Sequence, residues 1–120
     1  MCSDKSYKLV AICGDFKLDD VYKEVVTNLT LDGKIVVPKC TVPKTVLSSL
    51  TTKQSKDLND LNMERLSIAD EVFVINSSGH YDEEIIIDIL RCKFLNKPIT
   101  FLDKVSEGFI NDLIVSFNLL

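Results

Sequence analysis

Short runs of strand-forming residues alternate with longer amphipathic segments along the 120-residue chain, and this alternation restricts the fold more than any other feature. Y-K-L-V-A-I-C at 7–13 is dense in residues that fit a pleated strand. G-D-F-K-L-D-D follows as a turn whose acids suit a helix start, and the helix runs from about 21 to Gly33, which accepts the left-handed conformation of a helix stop. K-I-V-V-P at 34–38 predicts a second strand closed by Pro38. Between 38 and about 55 no periodicity survives, and Pro43 with the Ser/Thr cluster predicts a long loop of the kind that forms lids and binding segments. The stretch 56–70 puts Leu58, Leu61, Arg65 and Ile68 at helical spacing, and E-V-F-V-I-N at 71–76 predicts a third strand. A third helix spans about 82–95, a fourth strand 97–103, and a final helix 106–120.

Elements in this order build right-handed βαβ units around a parallel sheet. The expectation is one α/β domain over 1–120, a Rossmann-like three-layer sandwich on a parallel sheet of four strands, with five as the alternative. In such sheets ligands bind beyond the C-terminal strand ends, here the loops 14–17 and 76–82.

Charge and composition exclude several function classes. Fourteen Lys+Arg against 18 Asp+Glu leave a net charge of −4, with no basic stripe to neutralise a phosphate backbone. Nucleic acid is therefore not an expected partner. Cys2, Cys13, Cys40 and Cys92 show no C-x-x-C spacing, and a single histidine cannot complete the usual zinc sets, so no metal is expected and the thiols read as free in a reducing cytoplasm. No run approaches the roughly 18 apolar residues of a membrane span. G-x-G-x-x-G and G-x-x-x-x-G-K are both missing from a chain with four glycines, so the dinucleotide and P-loop fingerprints fail and no cofactor is implied. A phosphorylated receiver domain fits poorly, because the end of the third strand carries Asn76 in place of an acceptor aspartate.

The helix at 82–95 carries the most informative side chains. At about 100° per residue, Glu84, Asp88 and Arg91 share one narrow stripe while isoleucines, Leu90, Cys92 and Phe94 fill most of the remaining circumference. Taken alone, the stripe reads as an exposed (i, i+3/i+4) charge cluster worth roughly 0.2–0.5 kcal/mol. Asp82, Glu83 and Glu84 complement the helix dipole without any catalytic role. So wide an apolar arc exceeds what one sheet face covers, and the final helix adds Phe109, Ile110, Leu113, Ile114, Phe117 and Leu120 at helical spacing. Self-association into a homodimer or larger assembly is the expectation.

Four pieces of the chain, in order, resemble the nucleoside 2-deoxyribosyltransferase-like superfamily, which includes 2'-deoxynucleoside 5'-monophosphate N-glycosidases. A-I-C-G-D-F-K (11–17) is similar to the family's C-G-S-x-R turn, G-K-I-V-V-P follows the first helix, I-A-D-E-V-F-V-I-N (68–76) is similar to its A-D strand, and D-I-L-R-C-K-F-L-N-K-P-I (88–99) to its E-x-G-x-A…N-K-P helix and strand. The resemblance implies a carboxylate nucleophile that attacks the anomeric carbon of a deoxyribose and releases the base through a covalent glycosyl-enzyme, as retaining glycosidases do. Counting back from N-K-P puts Asp88 in that role, one methylene shorter than the family's glutamate. Asn62 matches the second catalytic carboxylate; an amide hydrogen-bonds a hydroxyl but takes no proton as a base, and Asp60 lies about 200° away around the helix. The resemblance further implies ligand contacts from Cys13, Gly14, Asp15, Phe16 and Lys17, and from Ser78, Gly79 and Glu84. His80 and Tyr81, just before the helix, suit stacking on a base or hydrogen bonding to a sugar; as a solvated loop pair they need no function. A nucleoside-like small molecule is the implied partner. The same fold also suits a ligand-binding or interaction protein without catalysis.

Asp15 stands where the nucleotide-cleaving members have a serine that helps bind phosphate. Two like charges about 4 Å apart repel by ~4 kcal/mol at an effective dielectric of 20, and Asp19 and Asp20 add negative charge near the same helix start. Lys17 offsets part of this. A nucleoside is therefore expected to bind more tightly than its 5'-monophosphate, with Asp15→Ser narrowing or reversing the preference. Calorimetric titration checks it, and tighter binding of the monophosphate to the unaltered chain would refute the placement of Asp15.

Overall fold

A computed structural model describes residues 7–14, 19–76, 81 and 83–116. The strands β1 (Leu9–Gly14), β2 (Ile35–Val37), β3 (Glu71–Ile75) and β4 (Ile99–Phe101) form one parallel sheet in the order β2-β1-β3-β4. Helices α1 (Asp19–Leu31), α2 (Lys44–Leu47), α3 (Thr52–Ile68), α4 (Glu83–Phe94) and α5 (Glu107–Ser116) connect or follow them. The α/β architecture with four parallel strands is as expected. No fifth strand is present among the described residues.

Strand alternation divides the core in two. Val10, Ile12 and Ile75 pack with Val25 and Leu29 of α1 on one face. Ala11, Cys13, Val72 and Val74 point to the other, where Leu66 of α3, the isoleucines of α4 and Ile110 and Ile114 of α5 cover them. Three layers result, with α1 the one helix among the described residues that packs on the first face. The wide apolar arc of α4 is shared between the sheet, α3 and α5, which answers much of the demand for a partner that its sequence raises. Phe94, at 88 % exposure, is the main remainder on that helix.

Local chemistry explains the helix ends. Gly33 has φ +81 and closes α1 in a Schellman arrangement, its N–H donating to Thr30 and that of Lys34 to Leu29. Asn96, with φ +57, closes α4 in the same way, through donation to Lys93 and from Lys97 to Cys92. Lys97 Nζ then caps the end of α3, donating to the carbonyls of Ser67 (2.8 Å) and Ala69 (2.7 Å). Asp70 accepts from the Leu9 amide at 2.7 Å and donates its own amide to the Leu9 carbonyl, which pins the start of β1 beside β3.

The expected loop over 38–55 is corrected. Residues 44–47 form the short α2 after Pro43, and α3 begins at Thr52. Thr51 accepts from the Gln54 amide and Gln54 returns a bond to Thr51, a capping box that starts the helix four residues earlier than its periodicity suggests. The apolar stripe expected for α3 is also rotated. Leu61 and Ile68 are exposed while Asn62, Arg65 and Leu66 are buried, because the helix turns its polar residues toward the ends of the strands.

Gly14, with φ +134, ends β1 against Ile75. A Cβ there would come within 2.4 Å of the Ile75 carbonyl oxygen and 3.0 Å of its nitrogen, both backbone atoms that cannot step aside. Gly14→Ala is therefore expected to lower stability by more than about 2 kcal/mol, combining backbone strain with a clash. Urea denaturation measures it; an unchanged midpoint would contradict the close approach of the two strands.

Candidate functional site

The strand order reverses between β1 and β3, and a cleft of about 690 Å³ opens at that switch point, where Gly14 lies at the C-terminal end of β1. The segment after β2 supplies one wall through Lys39, Cys40, Thr41, Val42, Lys44 and Leu47. Ser55, Leu58, Asn59 and Asn62 of α3 supply the other, and Glu84 closes it from the first turn of α4.

Two tethers hold the outer wall in place. The Asn62 amide accepts from Cys40 N–H (2.8 Å) and donates to the carbonyls of Cys40 (3.0 Å) and Leu58 (3.3 Å). Across the cleft Lys39 pairs with Glu84 at 2.7 Å. Glu84 is largely exposed, so that pair holds position more than it stabilises. Lys44 carries no such partner among the described residues and leaves one cation facing the cleft.

Asp88 lies one turn after Glu84 on α4. It is buried, at 6 % exposure, so the exposed charge cluster suggested by helical spacing is corrected. Glu84 alone of the three is largely exposed, and it is paired with Lys39; Arg91 donates to Asn59 at 3.1 Å and stands 3.7 Å from Asp88. Arg65 reaches Asp88 from α3 at 3.8 Å. Burial pushes the Asp88 carboxyl above the usual range, and the charges of Arg65, Lys39 and Arg91 draw it back down.

Arg65 is itself 2 % exposed. Nη1 donates to the Ile12 carbonyl at 2.8 Å, Nη2 lies 3.9 Å from Cys13 Sγ, and Nε has no hydrogen-bond partner among the described residues. A buried cation with one unmet donor is costly, about 1–3 kcal/mol for the missing bond. Its position under the strand ends makes it the counter-charge of Asp88.

Of the residues singled out in the sequence, Gly14, Asn62 and Glu84 meet at the cleft. Asp88 sits beside it without lining it, and the Cys13 side chain is fully buried in the core beneath. Tyr81 accepts from Asn76 at 2.8 Å and packs edge-on against Phe109, with ring centroids 5.7 Å apart. Asn76, buried, also exchanges bonds with the Asp103 backbone and so ties the loop after β3 to that after β4. Asp15, Phe16, Lys17, Ser78, Gly79 and His80 lie outside the described residues. Sequence reasoning missed Lys39, Cys40, Lys44, Asn59 and Arg65. The position of 39–44 just beyond a strand's C-terminal end was the available signal for the first three; nothing local marks the other two.

Among the described residues no three His, Cys, Asp or Glu side chains are grouped to hold a metal, and no helix is long and apolar enough to cross a membrane. No protein-family model matches this chain, and no curated protein matches it.

Proposed function

We propose that the cleft binds a nucleoside or a similar uncharged small molecule and that Asp88 acts on its N-glycosidic bond, as the resemblance to the nucleoside 2-deoxyribosyltransferase-like superfamily implies. In this reading Asp88 Oδ bonds to the anomeric carbon as the carbon–nitrogen bond breaks, and the departing base takes the electron pair and a proton from solvent in the open cleft. Water or a second base then displaces Asp88. One observation carries the proposal: a carboxylate removed from water beside the cleft, faced by guanidinium groups at 3.8 and 3.7 Å. Those groups oppose the upward push of burial on its pKa, but their distances exceed the roughly 2.7–2.9 Å of charge-assisted hydrogen bonds. A buried charge so loosely held disfavours folding, and groups perturbed in this way cluster at functional sites.

Two observations favour a second reading, binding without chemistry. Asp88 is not among the residues that line the cleft, and the Asn62 amide is occupied by the Cys40 backbone. Incubation with deoxynucleosides, ribonucleosides and their monophosphates, followed by chromatography for free base, separates the two. Free base supports catalysis; calorimetric binding without free base supports a binding protein; the absence of both contradicts the assignment of the cleft.

Self-association belongs to the same proposal. Leu61 and Ile68, on one stripe of α3, and Phe94 at the end of α4 are exposed at 55, 54 and 88 %. A symmetric pair is the common solution for such side chains. Light scattering at roughly tens of micromolar is expected to give at least twice the 13.5 kDa chain mass; a monomer mass would contradict it.

A further inference from the structure

Two side-chain amides of α3 line the cleft, and they stand in opposite states. Asn62 is satisfied inside the protein: its oxygen accepts from the Cys40 amide, and its nitrogen donates to the carbonyls of Cys40 and Leu58. Asn59, almost one turn earlier, is exposed, and its Oδ1 accepts from Arg91 Nη2 of α4 at 3.1 Å. A guanidinium carries donors only, so this contact decides which way the amide is turned. The oxygen faces Arg91, because the inverted amide would set N–H against N–H. Nδ2 makes no hydrogen bond among the described residues, so its two N–H groups are what Asn59 offers to a ligand. The rest of the polar lining leans the same way. Lys44 is a cation, Thr41 and Ser55 carry hydroxyls that donate or accept, and Glu84, the one carboxylate among the described lining residues, is paired with Lys39. The cleft presents donors more than acceptors.

We infer that Asn59 determines which bases the cleft accepts: its N–H groups donate to an exocyclic carbonyl oxygen, so nucleosides of oxo bases bind in preference to those of amino bases. The inference rests on the nucleoside reading of the cleft and adds the chemical class of the base. An oxo group at that position accepts from Nδ2. An amino group there brings donor against donor and leaves both without a partner. Because Asn59 is exposed, water makes good part of that loss, and the preference is roughly tenfold, well short of the ~10⁴ of an enclosed site. Arg91, which sets the orientation of the amide, also stands 3.7 Å from Asp88. Base selection and the proposed nucleophile therefore share one guanidinium.

Calorimetric titration of the full chain with 2'-deoxyinosine against 2'-deoxyadenosine, and with 2'-deoxyuridine against 2'-deoxycytidine, tests it. Each oxo nucleoside is expected to bind roughly tenfold more tightly than its amino counterpart. Asn59→Asp keeps an acceptor for Arg91 but turns a second oxygen to the ligand, so the preference is expected to reverse in favour of the amino bases. Arg91→Met frees the amide to turn either way, and the ratio is expected to fall toward one with Asn59 intact. Each readout is a ratio of two affinities, which a general loss of fold or of binding does not imitate. Equal affinities in the unaltered chain, tighter binding of the amino nucleosides, or a ratio unmoved by both substitutions would overturn the role of Asn59 and leave the nucleoside reading standing. Binding of none of the four to the unaltered chain would overturn that reading and this inference with it.

Discussion

Arg65→Met is expected to destabilise the protein by about 3–5 kcal/mol, because removing one partner of a buried ion pair strands the other. The arginine is 2 % exposed, holds the Ile12 carbonyl at the end of β1, and is the strongest opposing charge to the desolvation of Asp88. Methionine fills similar space, so the loss is electrostatic more than steric. A domain of this size has about 5–15 kcal/mol in total, and the variant is expected to lose a large share of it. The sign of its pH dependence follows from Asp88. The folded-state pKa is raised above the ordinary 3.8, so the folded state binds this proton more tightly than the unfolded chain. That contribution is complete below the ordinary value and is lost as pH rises through the raised one. Without Arg65 the shift grows, and the deficit of the variant is therefore expected to shrink on mild acidification. Asp88→Asn in the same background is expected to recover part of the loss at neutral pH. Urea denaturation across pH measures all three; a deficit that grows with acid would contradict the coupling.

Asp88→Asn alone carries the largest expected effect on activity. An amide keeps the shape of the side chain but cannot form a stable glycosyl ester, so base release is expected to fall by roughly a thousandfold or more. That corresponds to about 4 kcal/mol of lost transition-state stabilisation. Circular dichroism establishes whether the variant is folded, and an active folded variant would remove the nucleophile from Asp88.

The pieces that resemble the superfamily acquire a physical meaning in the fold. Asp70 of the A-D piece fixes the register of β1, Asn96 of N-K-P is the left-handed stop of α4, and Lys97 caps α3. These features specify the sandwich and need no ligand, which is why the architecture was legible while the chemistry was not. The strands and Gly33 follow from local propensity and backbone freedom. Thr51 and Gln54 were equally local, but their capping box sits inside a Ser/Thr-rich stretch whose composition reads as loop. The outer wall of the cleft was half legible, since 38–55 had the length and position of a binding segment, although not its two helices. Arg65 had no local signature at all. Its burial depends on a carbonyl at the end of β1 and a carboxylate on α4, both far away in sequence, and only tertiary packing brings them to it.

The most direct measurement of the central claim is mass spectrometry of the intact protein after incubation with a 2-fluoro-2-deoxyarabinosyl nucleoside, whose fluorine slows hydrolysis of a glycosyl-enzyme. The proposed mechanism predicts release of the base together with a mass increase of one fluorosugar, mapped by digestion to the peptide containing Asp88. Base release with no adduct, or an adduct on another residue, would contradict the assignment of Asp88 as the nucleophile.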